Sequence, residues 1–195
     1  MNLADRWPLS DHHDLRGELL VAWDRPGYHD LLHLTEVLER LDLLARAGAR
    51  FDRVSVELAA WFHDAVYDGA PDDEERSAQW AERALPDAYA GEVARLVRMT
   101  VHHRPSDDDV AGCVLSDADL GILAAPRERY TAYAAGVRAD FAHVADTDFH
   151  LGRAAVLEEL AARPALFRTA AARDLWEVPA RANLDRELEE LRRVG

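Results

Sequence analysis

The chain predicts an all-α protein, and three observations carry that expectation. Ala, Leu, Glu and Arg, which are strong helix formers, dominate the sequence. Clusters of β-branched residues are nearly absent, so strand signals are missing. Apolar residues recur at intervals of three and four, as at Leu34, Val37, Leu38, Leu41 and Leu44.

The elements follow in order. A mixed N-terminal segment leads to a break at Asp24-Arg-Pro-Gly27. A helix from about Tyr28 to Arg46 comes next, and Gly48 is placed to cap its C-terminus. A second helix, about Asp52 to Val66, carries Trp61, Phe62, His63 and Asp64 and stops before Gly69-Ala-Pro71. A third starts near Asp72 or Asp73, whose carboxylates suit a helix N-terminus, and runs through Ala84 to Pro86. The fourth, about Ala88 to His102, ends at His103-Arg-Pro105 before the acidic loop Ser106 to Asp109. The fifth, about Val110 to Leu123, is closed by Ala125-Pro126. Two long amphipathic helices are expected at about Arg127 to Val144 and Thr147 to Arg163. A last one, Trp176 to Val194, alternates Glu and Arg as a solvated packing helix does. There is no internal repeat and no low-complexity linker, so residues 1–195 read as one domain.

Composition narrows the function classes. With 49% apolar and 31% charged residues the chain is ordinary for a globular protein. No apolar run approaches the roughly 20 residues of a membrane span. The stretch Met1 to Ser10 lacks the apolar core of a signal peptide, so a cytoplasmic location is expected. The net charge of -14 argues against duplex nucleic acid or an anionic membrane as partner, because such binding needs clustered Lys and Arg. A small anionic substrate remains compatible, since a bound metal and one or two arginines reverse the field locally. Cys113 is the only cysteine, which excludes an intrachain disulfide and a Cys-rich zinc cluster; it reads as a small buried hydrophobe. The amphipathic C-terminal helix is also suited to packing against a second copy of the chain.

The most informative pair is His63-Asp64, two metal-type ligands set into the apolar run Leu58 to Tyr67. A carboxylate in such a place needs a partner, because desolvating it alone costs several kcal/mol. His33 precedes Val37, Leu41 and Leu44 by four, eight and eleven residues, which puts it at the edge of a buried face. His29 lies one turn earlier on that face. Asp119 follows Leu115 by four and precedes Ile122 by three, so it points inward, whereas Asp117 lies on another side of its helix. Two or three imidazoles with two carboxylates form a mixed N/O shell. Such a shell suits Mn, Fe, Zn, Ni or Co better than Mg or Ca.

The order H, then HD, then a distant D resembles the signature of the HD-domain superfamily of metal-dependent phosphohydrolases, in particular a small bacterial branch of predicted hydrolases. Five boxes carry the resemblance: Tyr28-His29 with His33; Ala60 to Tyr67; Asp73-Glu74 with Ser77-Ala78; Thr100 to His103; and Asp117 to Leu123. They span about residues 26–123, and Gly152-Arg153 also looks like that branch. The resemblance implies an HD-domain-like helical bundle with a central metal site. It implies His33, His63, Asp64 and Asp119 as metal ligands and a small phosphorylated substrate, conceivably a nucleotide. Three positions depart from the pattern: Asp73 where Asn is common, Ala124 where Gly is common, and Gly27 where a basic residue is expected, a role Arg25 is placed to take over.

Hydrolysis at such a site needs a group that takes or orients a proton. Asp68, one turn past Asp64, and Glu74 in the third box are the candidates. His102 and His103 are candidates for phosphate positioning or a second metal, with Arg104 as an anion contact. Tyr28, His29, Arg25, Arg104 and Asp117 are candidates for contact with substrate or for support of the ligands. Two other function classes remain open. Some relatives with additional histidines hold two irons and cleave C–C or C–P bonds with oxygen; alternatively the metal is structural within a non-catalytic binding or regulatory module.

Overall fold

The structure, a computed structural model, describes residues 2–194, and among these every regular element is helical. A 3-10 turn at Leu3–Arg6 precedes α1 (His13–Trp23), α2 (Leu31–Arg46), α3 (Arg53–Phe62), α4 (Asp73–Ala84), α5 (Asp87–Thr100) and α6 (Val110–Leu120). A second 3-10 turn, Gly121–Ala124, leads to α7 (Arg127–Asp140), α8 (Asp146–Ala161) and α9 (Ala170–Val194).

α3 is the axis of the molecule. Every residue from Ser55 to Phe62 is buried, which is what a helix apolar on all sides requires. Its one buried acid, Glu57, is held by Arg53 at 2.7 Å. α2, α5 and α6 pack around α3, and α4 packs on α5. α9 lies against the Gly121–Ala124 turn and against α8. Asn183 of α9 donates to the carbonyls of Leu123 and Ala125 at 2.7 and 2.9 Å, tying the tail helix to the end of the site-bearing α6.

Several boundaries differ from those the sequence predicts, each for a physical reason. α2 begins at Leu31 rather than Tyr28, because the Asp30 carboxylate accepts from the backbone N–H of Leu32 and His33 and so caps the helix there. α3 ends at Phe62 rather than Val66, so His63 is the first residue past the helix and Asp64 follows in a turn. Side chains from elsewhere take the backbone of that turn: Arg25 donates to the Asp64 carbonyl, and the Ser77 hydroxyl accepts from Val66 N–H at 2.9 Å. The fifth predicted helix divides into α6 and a 3-10 turn at Gly121. α7 ends at Asp140 rather than Val144, and the loop behind it is held by Arg138, which donates to the carbonyls of Phe141 and Val144.

The sequence reading left the N-terminal segment without a helix, yet α1 is there. Its N-cap, His12, makes no side-chain cap, and Gly17 interrupts it, so its local signal is weak. It forms by packing: Leu19 and Trp23 are fully buried, and the Trp23 indole donates to the Trp61 carbonyl at 2.8 Å. α9 begins at Ala170, six residues before the predicted Trp176, and runs through an exposed Pro179. Thr169 caps it, its hydroxyl accepting from Ala172 N–H at 3.1 Å.

Candidate metal centre

Four side chains meet beside the C-terminus of α3. His33 comes from the first turn of α2, His63 and Asp64 from the turn past α3, and Asp119 from the last turn of α6. His33 Nε2 lies 3.2 Å from His63 Nε2, 3.4 Å from Asp64 Oδ2 and 3.3 Å from Asp119 Oδ1. His63 Nε2 lies 3.1 Å from Asp64 Oδ2 and 3.7 Å from Asp119 Oδ1. One donor atom from each of His33, His63 and Asp64 fits within 4.8 Å of the others. Adjacent donors bonded to one ion at about 2.1 Å lie about 3.0–3.4 Å apart; the other spacings match the edges of a single coordination shell, and the His63–Asp119 one, at 3.7 Å, is longer.

The chemistry of the donors fits as well. His63 Nδ1 sits 2.8 Å from the Ala60 carbonyl, so Nδ1 carries the proton and the Nε2 lone pair faces the cluster. Two buried imidazole nitrogens at 3.2 Å between two carboxylates need a positive charge among them. In the absence of an ion, protons supply it. Burial by itself would push His63 down, but the Asp64 and Asp119 carboxylates overcome it and raise His63 well above its ordinary value. Burial likewise pushes Asp64 and Asp119 up, and His63 and His33 overcome it and hold both well below the usual carboxylate range. A divalent ion held by these groups would take the place of such a proton.

The sequence-predicted residues around these four side chains divide into two groups. Tyr28, His29, Glu74, His102 and His103 line a cavity of ≈ 680 Å³ that opens over Asp64 and Asp119. Tyr28 lays its ring on His33 at 4.5 Å, and its hydroxyl is buried with no hydrogen-bond partner. His29 stacks on Tyr67 at 3.9 Å and is fixed by Asp140 at 2.7 Å. His103 Nε2 lies 3.3 Å from Asp119 Oδ2, and His103 adopts a left-handed φ of 47° that Arg163 braces by donating to the carbonyls of His102 and His103. Burial raises the Glu74 carboxyl above its ordinary value, with Asp64 and Asp73 adding to the effect.

Four expectations are corrected. Asp68 points to solvent and pairs with Arg76; only its backbone N–H faces inward, toward Asp73. Asp117 is fully buried away from the cluster, where its carboxylate accepts from the N–H groups of Arg168 and Thr169 at 2.7 Å each and anchors the start of α9. Arg104 is exposed and pairs with Glu159 at 2.8 Å, outside the cavity wall. Arg25 offers no free guanidinium to a phosphate, because its nitrogens donate to the carbonyls of Ala22, His29, Asp64 and Ala65.

Gly27 and Asp73, two of the positions that depart from the pattern the sequence resembles, have structural roles of their own. Gly27 has φ 104°, and a Cβ there would lie 1.5 Å from the Asp140 carboxylate, so no basic side chain fits at that position. Asp73 serves as a loop clamp: its Oδ2 accepts from the N–H groups of Asp68, Gly69 and Ala70 at 2.8–3.0 Å. Sequence reasoning missed Asp140, Arg163 and the α8 wall of the cavity. Only Gly27 hinted at the first, as a position where something approaches the backbone closely.

Comparison with family models, with curated proteins and with solved structures finds no match for this chain. What the site does is therefore argued from its own residues.

Proposed function

We propose that the protein is a metal-dependent phosphohydrolase of the HD-domain type, acting on a small phosphorylated molecule. The observation that carries the reading is the buried cluster of His33, His63 and Asp64, with the partly buried Asp119 3.3 Å from His33, beside an open cavity that Asp64 and Asp119 line. His33, His63, Asp64 and Asp119 would hold a divalent ion such as Mn, Fe, Zn, Ni or Co, and the mixed N/O shell makes Mg a poorer fit. Bound there, the ion would make water a nucleophile near neutral pH and polarise a phosphoryl oxygen.

The chain's own groups account for the rest. Tyr28 brings an unpartnered buried hydroxyl to the cavity, a donor free to orient a phosphoryl oxygen. His102 lines the mouth and supplies a second donor. Glu74, half-buried in the wall, is the carboxylate placed to take the proton of the attacking water and return it to the departing alcohol. In that step the water oxygen bonds to phosphorus, the P–O ester bond breaks, and the alcohol leaves with the proton. The cavity counts against a purely structural ion, whose coordination the protein would close off.

A second reading has one observation in its favour. His103 Nε2 and Asp119 Oδ2 lie 3.3 Å apart, and His103 would supply a ligand for a second ion. One set of measurements tests both: elemental analysis, phosphate release from a panel of phosphomonoesters, and oxygen uptake, each for the wild type and for His63→Ala and Asp64→Ala. About one equivalent of metal with phosphate release, both lost in the variants, supports the hydrolase. Two equivalents of iron with oxygen uptake and no phosphate release supports the second reading. Phosphate release undiminished in either variant refutes the first.

A further inference from the structure

The wall of the cavity says what kind of ester would fit it. At the floor stand Asp64, Asp119 and His103; the opposite side, from the turn after α6 and from α7 and α8, is made of Leu123, Val137, Phe141, Phe149, Val156 and Leu160. Among the described lining residues there is no Asn, Gln or Ser to read a sugar or a base. The two arginines that reach this side are engaged: Arg153 is held by Glu187 at 2.8 Å, and Arg163 by the carbonyls of His102 and His103. Among the lining carboxylates Asp148 adds negative charge, whereas Glu159 is paired with Arg104 at 2.8 Å and with Arg163 at 3.5 Å.

Resting on the phosphohydrolase reading, we propose that the substrate is a monophosphate ester of an apolar alcohol. Its single phosphate would sit at the ligand cluster, and its hydrocarbon part would lie along α7 and α8. A nucleotide would leave its base and ribose hydroxyls without partners on this wall, a loss the apolar surface does not offset. One position makes the wall testable without disturbing the fold. Gly152 lines the cavity in the middle of α8, and a Cβ built on it meets nothing within 4 Å. Gly152→Leu therefore adds a side chain in open space at the cavity lining, beside the room assigned to the hydrocarbon, and helix propensity favours the change.

The test uses the Mn(II)-loaded full chain and a series of n-alkylphosphonates from methyl to hexyl, which resist hydrolysis, titrated by calorimetry. The phosphonate head is constant, so only the hydrocarbon varies. Affinity should rise about fourfold per methylene, the factor corresponding to about 0.8 kcal/mol, with a heat-capacity change that grows more negative along the series. In Gly152→Leu, with metal content and melting temperature retained, the rise should flatten beyond the shorter chains. Affinity independent of chain length, AMP binding more tightly than hexylphosphonate, or an unaltered rise in Gly152→Leu would each overturn the proposal. Strong hexylphosphonate binding without release of phosphate from hexyl phosphate would overturn the phosphohydrolase reading and leave the apolar ligand standing.

Discussion

Adding a divalent ion should stabilise the protein, and the gain should grow with pH. At an ion concentration about a hundredfold above its dissociation constant, binding to the folded state alone contributes about 2.7 kcal/mol. For a domain of this size that raises the melting temperature by about 5–11 °C. The pH dependence follows from what the ion displaces. In the metal-free protein the folded-state value of His63 lies above 6.5, so the stability from its imidazolium is fully present below that pH and is lost as pH rises through the raised value. Asp64 and Asp119 are shifted the other way: their contribution is present above 3.8 and is lost only as pH falls through the lowered values, so both stay ionised near neutrality. The ion therefore displaces a proton from His63. Each pH unit over which that proton is bound should strengthen apparent affinity up to tenfold, which is about 1.4 kcal/mol or about 3–6 °C in the metal-induced shift. Differential scanning calorimetry with Mn(II) or Zn(II) between about pH 6 and about pH 7.5 measures this, with His63→Ala as the control. A shift of equal size in His63→Ala, or one that shrinks as pH rises, would refute the reasoning.

Three further outcomes are expected. Glu74→Gln should lower kcat by about 10²–10⁴ with metal content unchanged, whereas Asp68→Asn, a change to an exposed ion pair, should stay within about threefold; equal losses in steady-state assays would remove Glu74 from its role. The two aspartates of the fifth box should separate cleanly. Asp117→Ala frees two buried backbone N–H groups and should cost about 2–4 kcal/mol in denaturant unfolding while metal still binds, and Asp119→Ala should lose the metal while staying folded; metal loss in Asp117→Ala with stability unchanged would reverse the assignment. Gly27→Ala should cost about 2–4 kcal/mol, since it combines a positive φ with displacement of Asp140 from Tyr28 N–H and His29, and a denaturation midpoint equal to wild type would contradict that geometry.

Helices with strong apolar periodicity, such as α2, α4 and α5, were legible to within a few residues. α1 was not, because its stability comes from burying Leu19 and Trp23 and not from its own sequence. His33, His63 and Asp64, the cluster that could hold an ion, stood out because a histidine or carboxylate in an apolar stretch is a local anomaly, whereas their assignment with Asp119 as ligands came from the resemblance. The helical spacing that turns Asp119 inward also turns Asp117 elsewhere, although the sequence did not show that Asp117 holds Arg168 and Thr169.

By itself, then, the sequence determined that the chain is helical and marked His33, His63, Asp64 and Asp119 as its most unusual residues, because residue type and the apolar run around each are read locally. Tertiary structure decided everything that depends on contacts between distant segments. It spent Arg25 on backbone carbonyls, turned Asp68 to solvent, set Glu74 in the wall and brought Asp140 from 111 residues away to fix His29. It also laid the apolar face of α8 over the cluster. No periodicity within one helix records which other helix it will meet, so the shape and polarity of the cavity, and with them the kind of ligand it fits, exist only once the helices have packed.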